Sequence, residues 1–136
     1  SNFSLDDCQT QRNLNQQGIE QSILLGKIFQ DNNISFDKVY SSQWCRCIDT
    51  AQYAFGEYQE LNLLNSTFSH NYQKNHLRQM KELKKLIFNL KEDHGNIIFI
   101  THYVIIGGIL DYYPNSGEIV IADKSLKVLG SIKTSY

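Results

Sequence analysis

Apolar residues recur along the chain with two different periods, and the switches between them predict alternating helices and strands. In NQQGIEQSILLGKIF, Ile19, Ile23, Leu24 and Ile28 make a helical face. Asn15 stands at the N-cap position, Glu20 and Gln21 fall in the early turns, and DNN ends the helix. FDKVYSS follows as a short strand around Val39 and Tyr40. Trp44, Ile48, Ala51 and Phe55 then fall at spacings of four, three and four, a second amphipathic helix closed by Gly56. From about residue 57 to 75 the chain is polar, rich in Asn and Ser and weakly periodic, which predicts a long excursion over one edge. Leu77, Met80, Leu83, Ile87 and Leu90 mark a third helical face, opposite a face of lysines expected to be solvated. In GNIIFITH, Ile97 to Ile100 form an unbroken apolar run, the pattern of a strand buried on both sides. YVIIGGILDYY predicts a short buried helix. EIVIAD and LKVLGSI, separated by Asp123-Lys124-Ser125, predict a terminal hairpin. The expected architecture is a single α/β domain over residues 1–136: a layered α/β/α fold with a mostly parallel sheet and an antiparallel C-terminal edge hairpin.

Composition narrows the function classes. With 136 residues, 41% hydrophobic and one proline, the chain is long enough for a real core and unlike a disordered segment. Thirteen basic against fourteen acidic side chains leave no broad field for nucleic acid or a membrane surface, so any anion recognition is local. No apolar run is long enough to span a bilayer, and SNFSLDDCQTQ is neither a signal nor a transit peptide. Three cysteines, Cys8, Cys45 and Cys47, cannot all pair within the chain. A Cys8–Cys45 or a Cys8–Cys47 bridge is open.

The candidate chemistry collects at two strand ends. FDKVYSS opens into a helix carrying Arg46 in its first turn, and NIIFITH ends at Thr101-His102 before another helix. In open parallel sheets ligands gather beyond the carboxyl ends of the strands, which would put Ser41, Ser42, Arg46, Thr101 and His102 on one rim. A guanidinium at a helix start makes a bidentate clamp for phosphate, and a nearby imidazole can donate to a developing phosphoryl charge. A solvated arginine and a satisfied structural histidine are the plain alternatives. Zinc at Cys45-x-Cys47 lacks the usual second ligand pair, and His70 and His76 supply none. A reactive thiol beside Arg46 has no partner base.

Several segments resemble the histidine phosphatase (phosphoglycerate mutase-like) superfamily, and most of all its small secreted or periplasmic members. They are DCQTQRNLNQQGIEQSILLGKIF, VYSSQWCRCIDTAQYAFG, NIIFITHYVII and NSGEIVI, spanning most of residues 6–56 and 96–121. The resemblance implies that Arg46 binds phosphate and that His102 stabilises the transferring phosphoryl group. Ser42 and Thr101 would then shape the pocket floor, with Arg12 and Asn13 near its mouth. Cys8 and Cys45 match cysteines of the secreted relatives, which implies a bracing disulfide with Cys47 left over. Glu118, in SGE, is the preferred proton donor to the leaving oxygen, ahead of Glu57 and Glu60; starting an edge strand or pairing with a lysine is its plain alternative.

One departure matters. The family's nucleophile is a histidine in an Arg-His-Gly or Arg-His-Ala motif closing a first strand, and nothing before Asp6 supplies either motif or strand. The chain is therefore expected to be an N-terminally incomplete domain, or an inactive relative, or to have the vacant strand filled by association, as in a homodimer. Little or no turnover is expected of it alone. The expected ligand is a small phosphorylated substrate or inorganic phosphate, with no cofactor, metal, nucleic acid or membrane span; the resemblance favours a periplasmic or secreted location. The rival functions are a catalytically inactive phospho-ligand binding module and a thiol or metal protein built on Cys45 and Cys47.

Overall fold

The structure, a computed structural model, describes residues 3–68, 72–91 and 95–134. His70 lies outside the described residues. The chain packs as two compact units, one of residues 1–62 and 95–100, the other of residues 63–94 and 101–136.

In the first unit, a short 3-10 turn (Cys8–Thr10) leads to α1 (Gln16–Asp31), β1 (Phe36–Ser41), α2 (Cys45–Phe55), β2 (Gln59–Glu60) and, from later in the chain, β3 (Asn96–Ile100). The strands make one parallel sheet in the order β2-β1-β3. Asn15 caps α1, its side-chain oxygen accepting from the Gly18 N–H at 2.9 Å. Gly56 closes α2 at a φ of 72°, a left-handed conformation that costs a glycine little. β3 departs from expectation. It is an edge strand among the described residues, and Ile97 to Ile100 are half-buried, because only one of its sides has a neighbour in the sheet. β2 was expected to be part of the irregular excursion. It pairs with β1 through Tyr40 opposite Gln59 and Ser41 opposite Glu60, a contact too short to leave a periodic signature.

The face of α1 also differs from the predicted one. Ile23 and Leu24 are exposed, whereas Ser22 and Gly26 are buried. Gly26 lies so close to α2 that a β-carbon there would come within 2.0 Å of the Ala54 carbonyl oxygen. The two helices meet through small residues, and a search for large apolar side chains misses such a seam. Phe29, Phe36 and Phe55 fill the space beside it edge-to-face, with centroids 5.0 to 6.3 Å apart. Val39, Cys45, Cys47 and Ala51 are the buried core of this unit.

The second unit holds a 3-10 turn ending at Leu64, α3 (Tyr72–Phe88), α4 (Tyr103–Leu110), β4 (Ile119–Ala122) and β5 (Val128–Ile132). Its buried residues include Leu64, His76, Met80, Leu83, Val104 and Ile105. The inner stripe of α3 therefore runs through His76, Met80 and Leu83, and Leu77, expected on it, is exposed. The terminal hairpin forms, with Ile119 opposite Ile132, but as a separate two-stranded sheet and not as an edge of the parallel one. Asp123 builds its turn: Oδ1 accepts from the N–H groups of Ser125 and Lys127. Among the described residues no helix is long and apolar enough to cross a membrane.

Candidate functional site

The first cluster belongs to the carboxyl end of β1. Ser41 pairs with Ile100 at the end of β3, and one residue on the Ser42 N–H donates to the Ile100 carbonyl at 2.9 Å. The two parallel strands thus end side by side. Ser41 and Ser42 are fully buried, so their hydroxyls need internal partners. Ser41 Oγ donates to the Ser42 carbonyl at 2.8 Å, and Ser42 Oγ accepts from the Trp44 N–H at 3.2 Å. Trp44 is the N-cap of α2 and its indole makes no cap bond. The first-turn donors are met from elsewhere, since the Cys45 N–H donates to Gln11 Oε1 at 2.9 Å.

Arg46 is the second residue of α2 and half-buried. Its position, in the first turn of a helix whose dipole is positive at that end, puts the guanidinium charge and the helix dipole on the same side toward an anion. On one side of it Cys45 is joined to Cys8 by a disulfide. On the other, Cys47 is buried and outside the disulfide. Burial pushes the Cys47 thiol up to about 11, against the opposing pull of the Arg46 charge and a hydrogen bond with Ser42. A thiol so poorly ionised is neither a nucleophile nor a ready metal ligand, and the sulfur of Cys45 is already oxidised. The pair therefore does not make the thiol or metal centre that its spacing admits. Arg12 is exposed, two residues after the 3-10 turn.

Contacts among the described residues hold the segment ahead of α1 onto the start of α2. They include the disulfide, the Gln11 bond to the Cys45 N–H, and Phe3, whose ring centroid lies 5.1 Å from that of Trp44. Residue patterns did not single out Gln11, because its role depends on a partner 34 positions away.

The second cluster belongs to the other unit. Thr101 Oγ1 donates to the Leu64 carbonyl, which secures the chain as it approaches α4. His102 is the N-cap of α4, with an extended backbone (φ −113°, ψ 152°) and only 7% exposure. Its carbonyl accepts from the N–H groups of Ile105 and Ile106, while its imidazole makes no cap bond. The backbone of His102 is thus fixed at the start of a helix, with its side chain buried there.

Glu118 stands just before β4. Its Oε2 accepts from the Tyr112 hydroxyl and its Oε1 from the Asn115 N–H. These bonds, Tyr112 first, hold its carboxyl below the usual carboxylate range. They favour the ionised form, which accepts protons and does not deliver them. His76, also in this unit, shares a 2.7 Å hydrogen bond between Nδ1 and Thr67 Oγ1 within the core. Burial lowers its pKa. Among the described residues no group of three or more His, Cys, Asp or Glu side chains could hold a metal ion.

The first 65 residues carry a recognisable family pattern. Residues 7–65, which include Arg46, match the model of the histidine phosphatase superfamily (branch 1). The structure is similar to that of the protein histidine phosphatase SixA complexed with tungstate. The TM-score is 0.65 at 16% sequence identity, covering 97% of this chain and 89% of that one. No curated protein sequence matches the chain. The fold is that of the histidine phosphatases, and the two findings together support the superfamily that the strand-end motifs suggest.

Proposed function

We propose that this chain, with its histidine phosphatase fold, binds a phosphomonoester or inorganic phosphate as the phosphate-handling part of a phosphohydrolase. Arg46 is the anion clamp, its planar guanidinium offering two parallel N–H donors to phosphate oxygens. His102 donates to an oxygen of the transferring phosphoryl group as charge builds there. Ser42 and Thr101 fix the strand ends from which these two side chains depart, and Arg12 contributes long-range attraction from an exposed position. Glu118 braces its loop and is not assigned proton delivery.

The observation that carries this proposal is the register of the sheet: Ser41 at the end of β1 lies opposite Ile100 at the end of β3. The segment bearing Arg46 therefore leaves the sheet at the end where β3 also stops, the region where such sheets collect ligands. The similar solved protein was complexed with tungstate, a phosphate analogue, which supports a phosphate-type ligand here. A disulfide between Cys8 and Cys45 is at home in an oxidising compartment, in keeping with a periplasmic or secreted location.

Turnover needs a nucleophile. The 136 residues contain no Arg-His dipeptide, so in this proposal the histidine that accepts the phosphoryl group, before water removes it, lies in a segment ahead of Ser1. The test is hydrolysis of p-nitrophenyl phosphate by this chain and by a version extended upstream in its natural sequence. The short chain is expected to bind phosphate and turn over little, and the extended one to hydrolyse. Strong turnover by the short chain, unaffected by His102→Ala, would overturn the assignment. Phosphate binding abolished by Arg46→Ala, with no turnover in either form, would instead identify an inactive phospho-ligand module.

A further inference from the structure

Two tyrosines of the second unit remain outside the chemistry above. Tyr103 directly follows His102 and is the first residue of α4, with 60% of its surface exposed. Tyr113, three residues past the end of that helix, is 63% exposed. Their rings meet edge-to-face, with centroids 6.1 Å apart and planes inclined by 62°. Single exposed aromatics are ordinary, but here two are held against each other, and one of them is next in sequence to a candidate phosphoryl-handling residue.

The loop is built to hold Tyr113 where it is. Asp111 turns the chain out of α4 in a left-handed conformation, φ 53°. Tyr112, next in line, gives its hydroxyl to Glu118, which ties that side of the loop to the start of β4. Tyr113 then lies back along α4 in a notch that only glycine provides. A β-carbon at Gly107 would come within 2.0 to 2.4 Å of three atoms of its ring. Gly107 is four residues after Tyr103, so the two positions share one face of the helix, and Tyr113 lies along that face toward Tyr103. The Tyr113 ring is backed by the helix at Gly107, and much of the surface of both residues meets solvent.

We propose that Tyr103 and Tyr113 form an aromatic subsite beside His102 that receives the planar, aromatic leaving group of a phosphomonoester. The inference rests on the assignment of His102 to phosphoryl handling and names the substrate class for it. Rings already fixed at an edge-to-face angle offer a planar group a face and an edge at once, with little ordering left to be lost on binding. An alkyl leaving group of similar charge would gain only ordinary apolar contact.

Binding tests this without needing turnover. Isothermal titration of the chain with phenyl phosphate and with methyl phosphate is expected to show phenyl phosphate bound about 3- to 10-fold more tightly, the range of one good aromatic contact. Tyr103→Ala or Tyr113→Ala should erase the preference while leaving methyl phosphate affinity unchanged, and Tyr103→Phe should keep it. Equal affinity for the two ligands in the native chain, or a preference that survives both alanine variants, would overturn the subsite and leave phosphate binding standing. Failure of both ligands to bind would overturn the phosphate assignment and the subsite with it. Tyr103 is exposed at a helix start, so its alanine variant tests the idea even if the Gly107 notch tolerates no change at Tyr113.

Discussion

The Cys8–Cys45 bridge closes a loop with a sequence separation of 37 residues, and that length sets what its loss should cost. In the chain-entropy description, a cross-link removes about 2.1 + 1.5R ln n cal/mol/K from the unfolded chain, about 13 for this loop and so about 4 kcal/mol at 25 °C. Single domains of this size are commonly stable by roughly 5–15 kcal/mol, so the bridge supplies a large share. The full amount appears only if the segment ahead of α1 stays docked without the bond. Gln11 on the Cys45 N–H and Phe3 on Trp44 are positioned to keep it there, and Thr10 Oγ1 links the segment to itself through Ser4 and Asp7. The double variant Cys8→Ala/Cys45→Ala is therefore expected to lose about 4 kcal/mol in urea unfolding with an unchanged denaturant slope. A smaller loss with a reduced slope would mean that the segment undocks in the native state. A loss below about 1 kcal/mol with the slope unchanged would refute the entropic account of this loop. Adding Gln11→Ala should cost a further ~1–3 kcal/mol, because it leaves the Cys45 N–H unpaired where the chain is buried.

The buried thiol and the buried histidine give two further predictions. With its thiol raised to about 11 by burial, Cys47 should resist iodoacetamide in the native protein at about pH 8 and react only after denaturation; full labelling of the native fold would contradict its burial. His76 is held neutral by burial, with its pKa below the ordinary 6.5. The unfolded chain therefore takes up the proton first as pH falls, so stability should decline below about pH 6.5 and level off once the folded state is also protonated. Urea midpoints from about pH 8 to about pH 5 should show this fall, and His76→Gln should flatten it; identical profiles for the two proteins would reject the assignment.

Much of the fold was legible in the periodic pattern because most elements carry an unambiguous period or a strong cap. Asn15 and Gly56 make the backbone bonds their positions suggest, and the apolar runs around Val39 and Ile98 became paired parallel strands. What escaped depended on residues that hydrophobic periodicity discounts. α1 packs through Ser22 and Gly26, because contact with α2 at Ala54 demands small side chains. α3 turns a histidine inward, because Thr67 supplies its hydrogen bond and Gly108 leaves room for its ring, a β-carbon there falling 2.5 Å from Nε2. β3 has the composition of an interior strand yet occupies an edge among the described residues, since composition reports what a strand can bury and not how many neighbours it has. At the candidate site the residue types that suggest phosphate chemistry stand out in the sequence. Gln11 and the Tyr103–Tyr113 pair do not, because each acts through a contact that only the folded chain creates.

The sulfurs around Arg46 show how a local sequence can mislead about chemistry and still report on mechanics. Cys45 and Cys47 are two residues apart on a helix, so their side chains leave the axis roughly 200° apart and cannot converge on one ion or one oxidant. Both are buried, in opposite directions, with Arg46 half-exposed between them. One is covalently anchored to the preceding segment and the other is packed into the core. A long arginine side chain loses about 2 kcal/mol of rotamer freedom when it is ordered on a ligand. Nothing in its backbone can remove that cost, but a backbone fixed on both flanks avoids adding to it. The two cysteines thus act on the cation by immobilising the helical turn that presents it, which is why neither needs a reactive thiol.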